Sequence, residues 1–140
     1  MRIYKFRAWD KENNEMIYEN KFGSGEKENE GFIKLVEDCG SIFLISIYAN
    51  GTCKYEEING ELQQFTGFHD KLGKEIYEGD IGLFDCAGGK IKSTIIWNDF
   101  VARYERDDIP YLAGGINGLC EVIGNIYEHK NLLDNTDIKV

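Results

Sequence analysis

The sequence predicts an all-β fold, a small barrel or sandwich-like roll, in a chain of 140 residues. Three observations carry that reading. Short alternating or β-branched segments follow one another, with turn signals at the spacing of an all-β domain. Glycine occurs 16 times and proline once, so most turns rely on residues that tolerate positive φ. Asn-Gly, a strong hairpin signal, recurs at Asn50-Gly51, Asn59-Gly60 and Asn117-Gly118. A chain of 16.0 kDa buries about two-thirds of its unfolded surface. A hydrophobic content of 42% excludes disorder as the main state. No apolar run approaches the ~18–20 residues of a membrane-spanning helix.

The elements follow in order. Tyr4, Phe6 and Ala8 share one face of a first strand, with Lys5 and Arg7 on the other. Asp10 to Asn14 is a polar turn, and Met16-Ile17-Tyr18 returns as a partner strand. Lys21 to Gly31 reads as a surface loop and is the weakest join in the chain. The i, i+3, i+4 spacing of Phe32, Leu35 and Val36 predicts one or two helical turns. Ile42 to Ala49 carries no charge and reads as a fully buried strand. Asn50-Gly51 reverses the chain into Thr52 to Ile58. Leu62 to Thr66 and Asp80 to Cys86 are further strands, and Gly88-Gly89 turns the second into Lys90 to Trp97. Asn98-Asp99 turns again into Phe100 to Glu105, where Phe100, Ala102 and Tyr104 share a face. Leu119 to Tyr127 is the last strand, and the tail around Leu132-Leu133 forms one helical turn. We read no internal repeat, no low-complexity tract and no linker that splits the chain.

Lys plus Arg total 16 against 25 Asp plus Glu, a net charge of −9. Nucleic-acid binders show a basic footprint, which the average here lacks. A local exception is the stripe Arg2, Lys5, Arg7, interleaved with Tyr4 and Phe6, whose cations are expected on one strand face. The stripe reads either as a solvated face or as a nucleic-acid contact. Acidity points instead to solubility or a basic protein partner. Cys39, Cys53, Cys86 and Cys120 form no C-x-x-C pair. They are expected as reduced, mostly buried thiols, with Cys53 and Cys120 packed on strand faces. The first ten residues contain no apolar signal region, so the cytoplasm is the expected location. The aromatics fall mainly on apolar strand faces and read as core.

No phosphate-binding P-loop, G-x-S-x-G elbow or H-E-x-x-H motif is present. One constellation offers chemistry: His69, Asp70, Glu75, Glu78 and Asp80. Such a set suits Mg²⁺ or Mn²⁺, or acid–base work by paired carboxylates. Lys71 and Lys74 partly neutralise it, and Asp70-Lys71-Leu72-Gly73 has the residues of a β-turn. The turn is the reading adopted, with no catalytic residue, metal or cofactor expected.

Three blocks stand out: Lys5-Phe6-Arg7-Ala8-Trp9-Asp10 with Met16-Ile17-Tyr18, the long run from Gln64 to Ile81, and Glu121 to Glu128 followed by Leu132-Leu133. Together they resemble the YopX family of phage and prophage proteins. The chain departs from the family pattern at Gly82-Leu83 and has no Asn-Pro near His129-Lys130. The resemblance implies a mainly β fold over 1–140. Its parts would be an N-terminal β-hairpin extension over about 1–60, a small SH3-like barrel over about 61–128, few short helices and a short tail. It implies a phage or prophage origin and does not by itself imply an activity. The middle block is expected to have two layers. Ile76, Tyr77 and Gly79 hold the fold, while His69, Asp70, Lys71, Lys74 and Glu75 form an exposed rim for a partner. The function expected is a non-enzymatic protein-binding accessory protein in the host cytoplasm, with phage or host protein as partner, no membrane, and homo-oligomerisation open. The alternatives are a nucleic-acid-linked regulator using the basic stripe and a metal-dependent enzyme using Asp70, Glu75, Glu78 and Asp80.

Overall fold

A computed structural model describes residues 4–22, 30–86, 88–98, 103–106 and 120–132. It is mainly β, and the sole helical element among the described residues is a 3-10 turn at Lys130–Leu132. The chain forms two compact units, Lys5–Gln63 and Gln64–Val140 with Met1–Tyr4.

The first unit holds β1 (Phe6–Asp10), β2 (Glu15–Tyr18), β3 (Lys21–Phe22), β4 (Gly31–Asp38), β5 (Ser41–Tyr48), β6 (Cys53–Ile58) and the start of β7 (Gly60–His69). Strands β3-β4-β5-β6 form one antiparallel sheet in that order, while β1 lies between β2 and β7. Alternation sends Leu35, Ile42, Leu44 and Ile58 to a core shared with Ala8, Phe6, Ile17 and Leu62. The opposite face carries Phe32, Val36, Phe43, Ile45, Ile47 and Tyr55, all exposed or half-buried.

Several expectations are corrected here. The segment Phe32 to Val36 is strand, not helix: β4 pairs with β5 along its whole length, from Gly31↔Tyr48 to Asp38↔Ser41. A helical spacing of three residues is a weak local signal, and a full ladder overrides it. Strand β5 is buried only at Ile42, because one of its faces stays partly open. Cys53 is exposed on outer strand β6 rather than packed. Both faces of β1 are covered, so Arg7 is buried. Lys21–Phe22 is strand and Gly31 opens β4, so of the expected loop only 23–29 lies outside the described residues. Asn59-Gly60 is no hairpin turn. A Cβ at Gly60 would sit 1.7 Å from the Trp9 carbonyl oxygen, so glycine is there to let β1 approach. Asn50-Gly51 does turn the chain, with Gly51 at φ 90°.

The second unit holds the rest of β7, then β8 (Glu75–Tyr77), β9 (Asp80–Cys86), β10 (Gly89–Asn98), β11 (Arg103–Arg106) and β12 (Cys120–Asn125). Its main sheet is antiparallel in the order β11-β10-β9-β12. The resemblance implied an SH3-like barrel here; the pairing among the described residues is this open order. Ile76, Phe84, Ile95, Cys120 and Val122 form the core, with Phe68 and Trp97 against it. The buried Arg106 guanidinium lies 4.2 Å from the centre of the Phe84 ring. The Lys92 ammonium donates to the Leu132 carbonyl and ties the 3-10 turn to β10. Phe100, Ala102 and Asn117-Gly118 lie outside the described residues.

Candidate functional site

The long middle block forms hairpin β7–β8 and the turn into β9. Phe65 opposes Tyr77 and His69 opposes Glu75, with a register shift between them. Gly67 sits in that bulge at φ 87°. The Thr66 hydroxyl donates to the Ile76 carbonyl at 2.7 Å and accepts from the Phe68 N–H at 3.1 Å.

Asp70 closes the hairpin. Its Oδ1 accepts from the Leu72 N–H at 2.9 Å and the Lys74 N–H at 2.8 Å. The Asp70 N–H donates to the Lys74 carbonyl at 2.8 Å, and the Gly73 N–H donates to the Asp70 carbonyl at 3.0 Å. Gly73, at φ 88°, supplies the left-handed residue. The other oxygen, Oδ2, accepts from the Val122 N–H of β12 at 3.0 Å, and the Lys71 N–H donates to the Cys120 carbonyl at 2.9 Å. The turn is therefore fastened to β12 at two points. Burial alone would raise the Asp70 carboxyl. The Val122, Lys74 and Leu72 N–H groups and the Lys74 charge outweigh it and hold the pKa below the ordinary carboxylate value.

This geometry redraws the expected rim. Asp70 is 5% exposed and belongs to the framework, and Glu75 is half-buried. His69, Lys71 and Lys74 are exposed, and His69 also meets the Phe65 ring edge-on at 5.7 Å. Leu72, in the Asp70–Gly73 turn, is 74% exposed at the tip.

Beneath the turn, Ile76 and Tyr77 are buried, and the Phe65 and Tyr77 rings lie 5.6 Å apart. Gly79 turns the chain at φ 84°, donates to the Ile95 carbonyl at 2.8 Å and accepts from the Ile126 N–H at 2.9 Å. Asp80 Oδ2 accepts from the Tyr77 N–H at 2.8 Å, and Glu78 Oε1 accepts from the Gln64 N–H at 3.2 Å. Three carboxylates of the proposed metal or acid–base cluster thus serve as backbone acceptors. Among the described residues no three metal-ligating side chains come together. Burial first, then the charges of Asp70 and Asp80, push the Cys120 thiol up to about 11, so it stays protonated and inert. His129 accepts from the Asn125 N–H at 3.2 Å and packs on Gly124, which makes it structural.

The basic stripe does not stand on one exposed face. Arg7 is 2% exposed, donates to Gln63 Oε1 at 2.6 Å and lies 6.0 Å from the Tyr18 ring centre. Lys5 is half-buried, and Arg2 lies outside the described residues.

Asp10 to Asn14, read from the sequence as a polar turn, is a second turn closed by an aspartate. Asp10 Oδ1 accepts from the Glu12 and Asn13 N–H groups at 3.0 and 3.2 Å, and Oδ2 accepts from the Asn13 amide at 2.8 Å. Asp10-Lys11 with Glu15 and then Ile17-Tyr18-Glu19 matches Asp70-Lys71 with Glu75-Ile76-Tyr77-Glu78. The expectation of no internal repeat fails on this pair.

The chain shares its fold with a solved structure titled "Crystal structure of protein EF1440 from Enterococcus faecalis". The TM-score is 0.61 at 24% sequence identity, over 95% of this chain and 99% of that one. No protein with a curated description matches. The YopX protein family model matches residues 5–134, nearly the whole chain, and the chain belongs to that family.

Proposed function

We propose that this chain is a non-enzymatic, protein-binding accessory protein of a phage or prophage, acting in the host cytoplasm through the tip of hairpin β7–β8. The observation that supports the reading is the contrast within the turn. A buried carboxylate and a network of backbone hydrogen bonds fix the loop, yet Lys71, Leu72 and Lys74 at its end are exposed. Order held at an exposed tip lowers the entropy lost when a partner binds. An apolar side chain between two cations suits a hydrophobic pocket with an acidic rim.

The alternatives have less support. A nucleic-acid contact through the stripe loses Arg7 to Gln63. An enzyme built on the 70–80 block would draw on carboxylates that already accept backbone N–H groups. The test is capture by the immobilised full chain from a host lysate containing phage proteins. A partner held by the wild type is expected to be lost with Leu72→Asp and kept with Lys11→Ala. Capture indifferent to Leu72→Asp overturns the assignment of the tip.

A further inference from the structure

Strand β6 is the outer strand of its sheet, and Cys53 to Glu57 are all exposed. Its pairing with β5 fixes which backbone groups face outward. The Tyr48 N–H donates to the Thr52 carbonyl at 2.9 Å, so Tyr48 and Thr52 form a hydrogen-bonded pair. In an antiparallel ladder such pairs alternate with pairs whose N–H and C=O groups point away. Ser46↔Lys54 and Leu44↔Glu56 are then hydrogen-bonded pairs, and Cys53, Tyr55 and Glu57 aim their backbone groups at the open edge. The far side of the sheet has the matching phase. There Ile33 and Leu35 of β4 send their N–H groups outward, to the Asn20 carbonyl and the Glu19 carboxylate. That edge is covered by its own chain, whereas among the described residues no strand pairs with the outer edge of β6.

An open edge accepts other strands, and charges along it restrict which ones. Here they favour the strand itself. We propose that two copies of this chain join β6 to β6 antiparallel, about a two-fold axis through Tyr55. Tyr55 then faces its symmetry mate, Cys53 faces Glu57, and Lys54 faces Glu56 on both sides of the axis. Opposite charges directly across a strand pair stabilise it and like charges oppose it. A shift of two residues in one direction sets Lys54 against Lys54, and in the other direction Glu56 against Glu56. A shift of one residue sets outward-facing groups against inward-facing ones and breaks the ladder. The charge order therefore selects one register. Tyr55 is 67% exposed on the same face as Ile45 and Phe43, so the joined sheet makes that apolar face continuous across the axis. A single strand pair is a small interface, so the association is weak and depends on concentration. This inference is independent of the tip assigned to hairpin β7–β8.

Sedimentation velocity from micromolar to millimolar protein tests it. The wild type is expected to move from monomer to dimer over that range. Lys54→Glu sets glutamates opposite each other, Glu56→Lys sets lysines opposite each other, and each is expected to leave a monomer. The double change Lys54→Glu with Glu56→Lys restores the dimer. An equimolar mixture of the two single variants also dimerises, a readout that a misfolded variant would not give. Tyr55→Pro removes an outward-facing N–H that β5 does not use and is expected to abolish the dimer while leaving the fold intact. A wild type that stays monomeric at millimolar concentration, a dimer indifferent to the single changes, or a double variant that stays monomeric overturns the proposal.

Discussion

Hairpins β1–β2 and β7–β8 are built from the same parts and fastened differently. Each closes on an aspartate whose Oδ1 takes two turn N–H groups, and each of the two turns contains one left-handed residue, Asn14 at φ 52° or Gly73 at φ 88°. Each ends on a glutamate that reaches back to the first strand. The Glu19 N–H donates to the Phe6 carbonyl while its carboxylate accepts from the Phe6 N–H. Glu78 and Gln64 repeat that exchange. The long-range ties fall on different members of the set. In β1–β2 the aspartate is local and the glutamate reaches away, to the Leu35 N–H of β4 at 3.0 Å and to the Lys34 ammonium at 3.4 Å. In β7–β8 the aspartate reaches away, to Val122 of β12. One local design thus anchors to its surroundings through whichever carboxylate lies nearest an unpaired N–H.

The largest effect expected from that difference is at the aspartates. Asp70→Ala leaves the buried Val122 N–H and two turn N–H groups without their acceptor, a loss of about 3 kcal/mol or more. Asp10→Ala exposes its turn N–H groups to water and should cost about 1 kcal/mol. Urea denaturation compares the two, and amide exchange at Val122 locates the damage. Equal losses would break the comparison.

Acid sharpens it. Both carboxyls titrate below their ordinary range: Asp10 through the Asn13 amide and the Asn13 and Glu12 N–H groups acting against burial, Asp70 through N–H groups that outweigh burial. A folded pKa below the unfolded one gives stability that is complete above the unfolded value and lost as pH falls through the folded value. Melting temperature should therefore fall on acidification below the usual carboxylate range. Asp70→Asn and Asp10→Asn should each flatten that fall, because each removes a carboxyl whose folded pKa is lowered.

The glutamate of β1–β2 should put the damage in β4. Glu19→Ala removes the acceptor of the Phe6 and Leu35 N–H groups and the partner of Lys34, and should cost about 2 kcal/mol. Amide exchange at Leu35 should rise with it while Val122 stays protected. If Val122 loosens instead, the two hairpins are not separately anchored.

Much of this was legible from residue types. Asp70-Lys71-Leu72-Gly73 named its own turn, and Ile76, Tyr77 and Gly79 their part in holding the fold, because each depends on neighbours along the chain. Val122 as the partner of Asp70 lies 52 residues away, and no local pattern encodes it. Arg7 looked solvent-facing because its neighbours alternate; that Gln63 covers it is a fact of tertiary pairing. The β6 edge was hidden for the same reason, since Cys53 to Ile58 alternates like a half-buried strand until the sheet order puts it outermost. The repeated turn was present in the letters. A three-residue spacer of different composition, Glu12 to Asn14 against Leu72 to Lys74, and the extra residue Met16 disguised it.

The smallest effect lies at the tips, where the two hairpins differ most on the surface. Lys11 forms an exposed ion pair with Glu61 at 3.3 Å, the kind worth about 0–1 kcal/mol. Lys71 and Lys74 flank Leu72, whose side chain leaves 74% of its surface in water. Changing Lys71, Leu72 and Lys74 together to Ala removes little buried area and no acceptor of the Asp70 network, whose bonds run through backbone N–H groups. Surface changes of this kind fall within about 0.5 kcal/mol. Thermal melting of the triple variant should therefore overlay the wild type, and Lys11→Ala should do the same. Stability alone would then give no reason for an exposed leucine on this hydrogen-bonded loop, as the proposed binding role of the tip requires. A triple variant that loses more than about 1 kcal/mol, beyond the surface range, would make Leu72 structural and remove the support for the tip as a binding element.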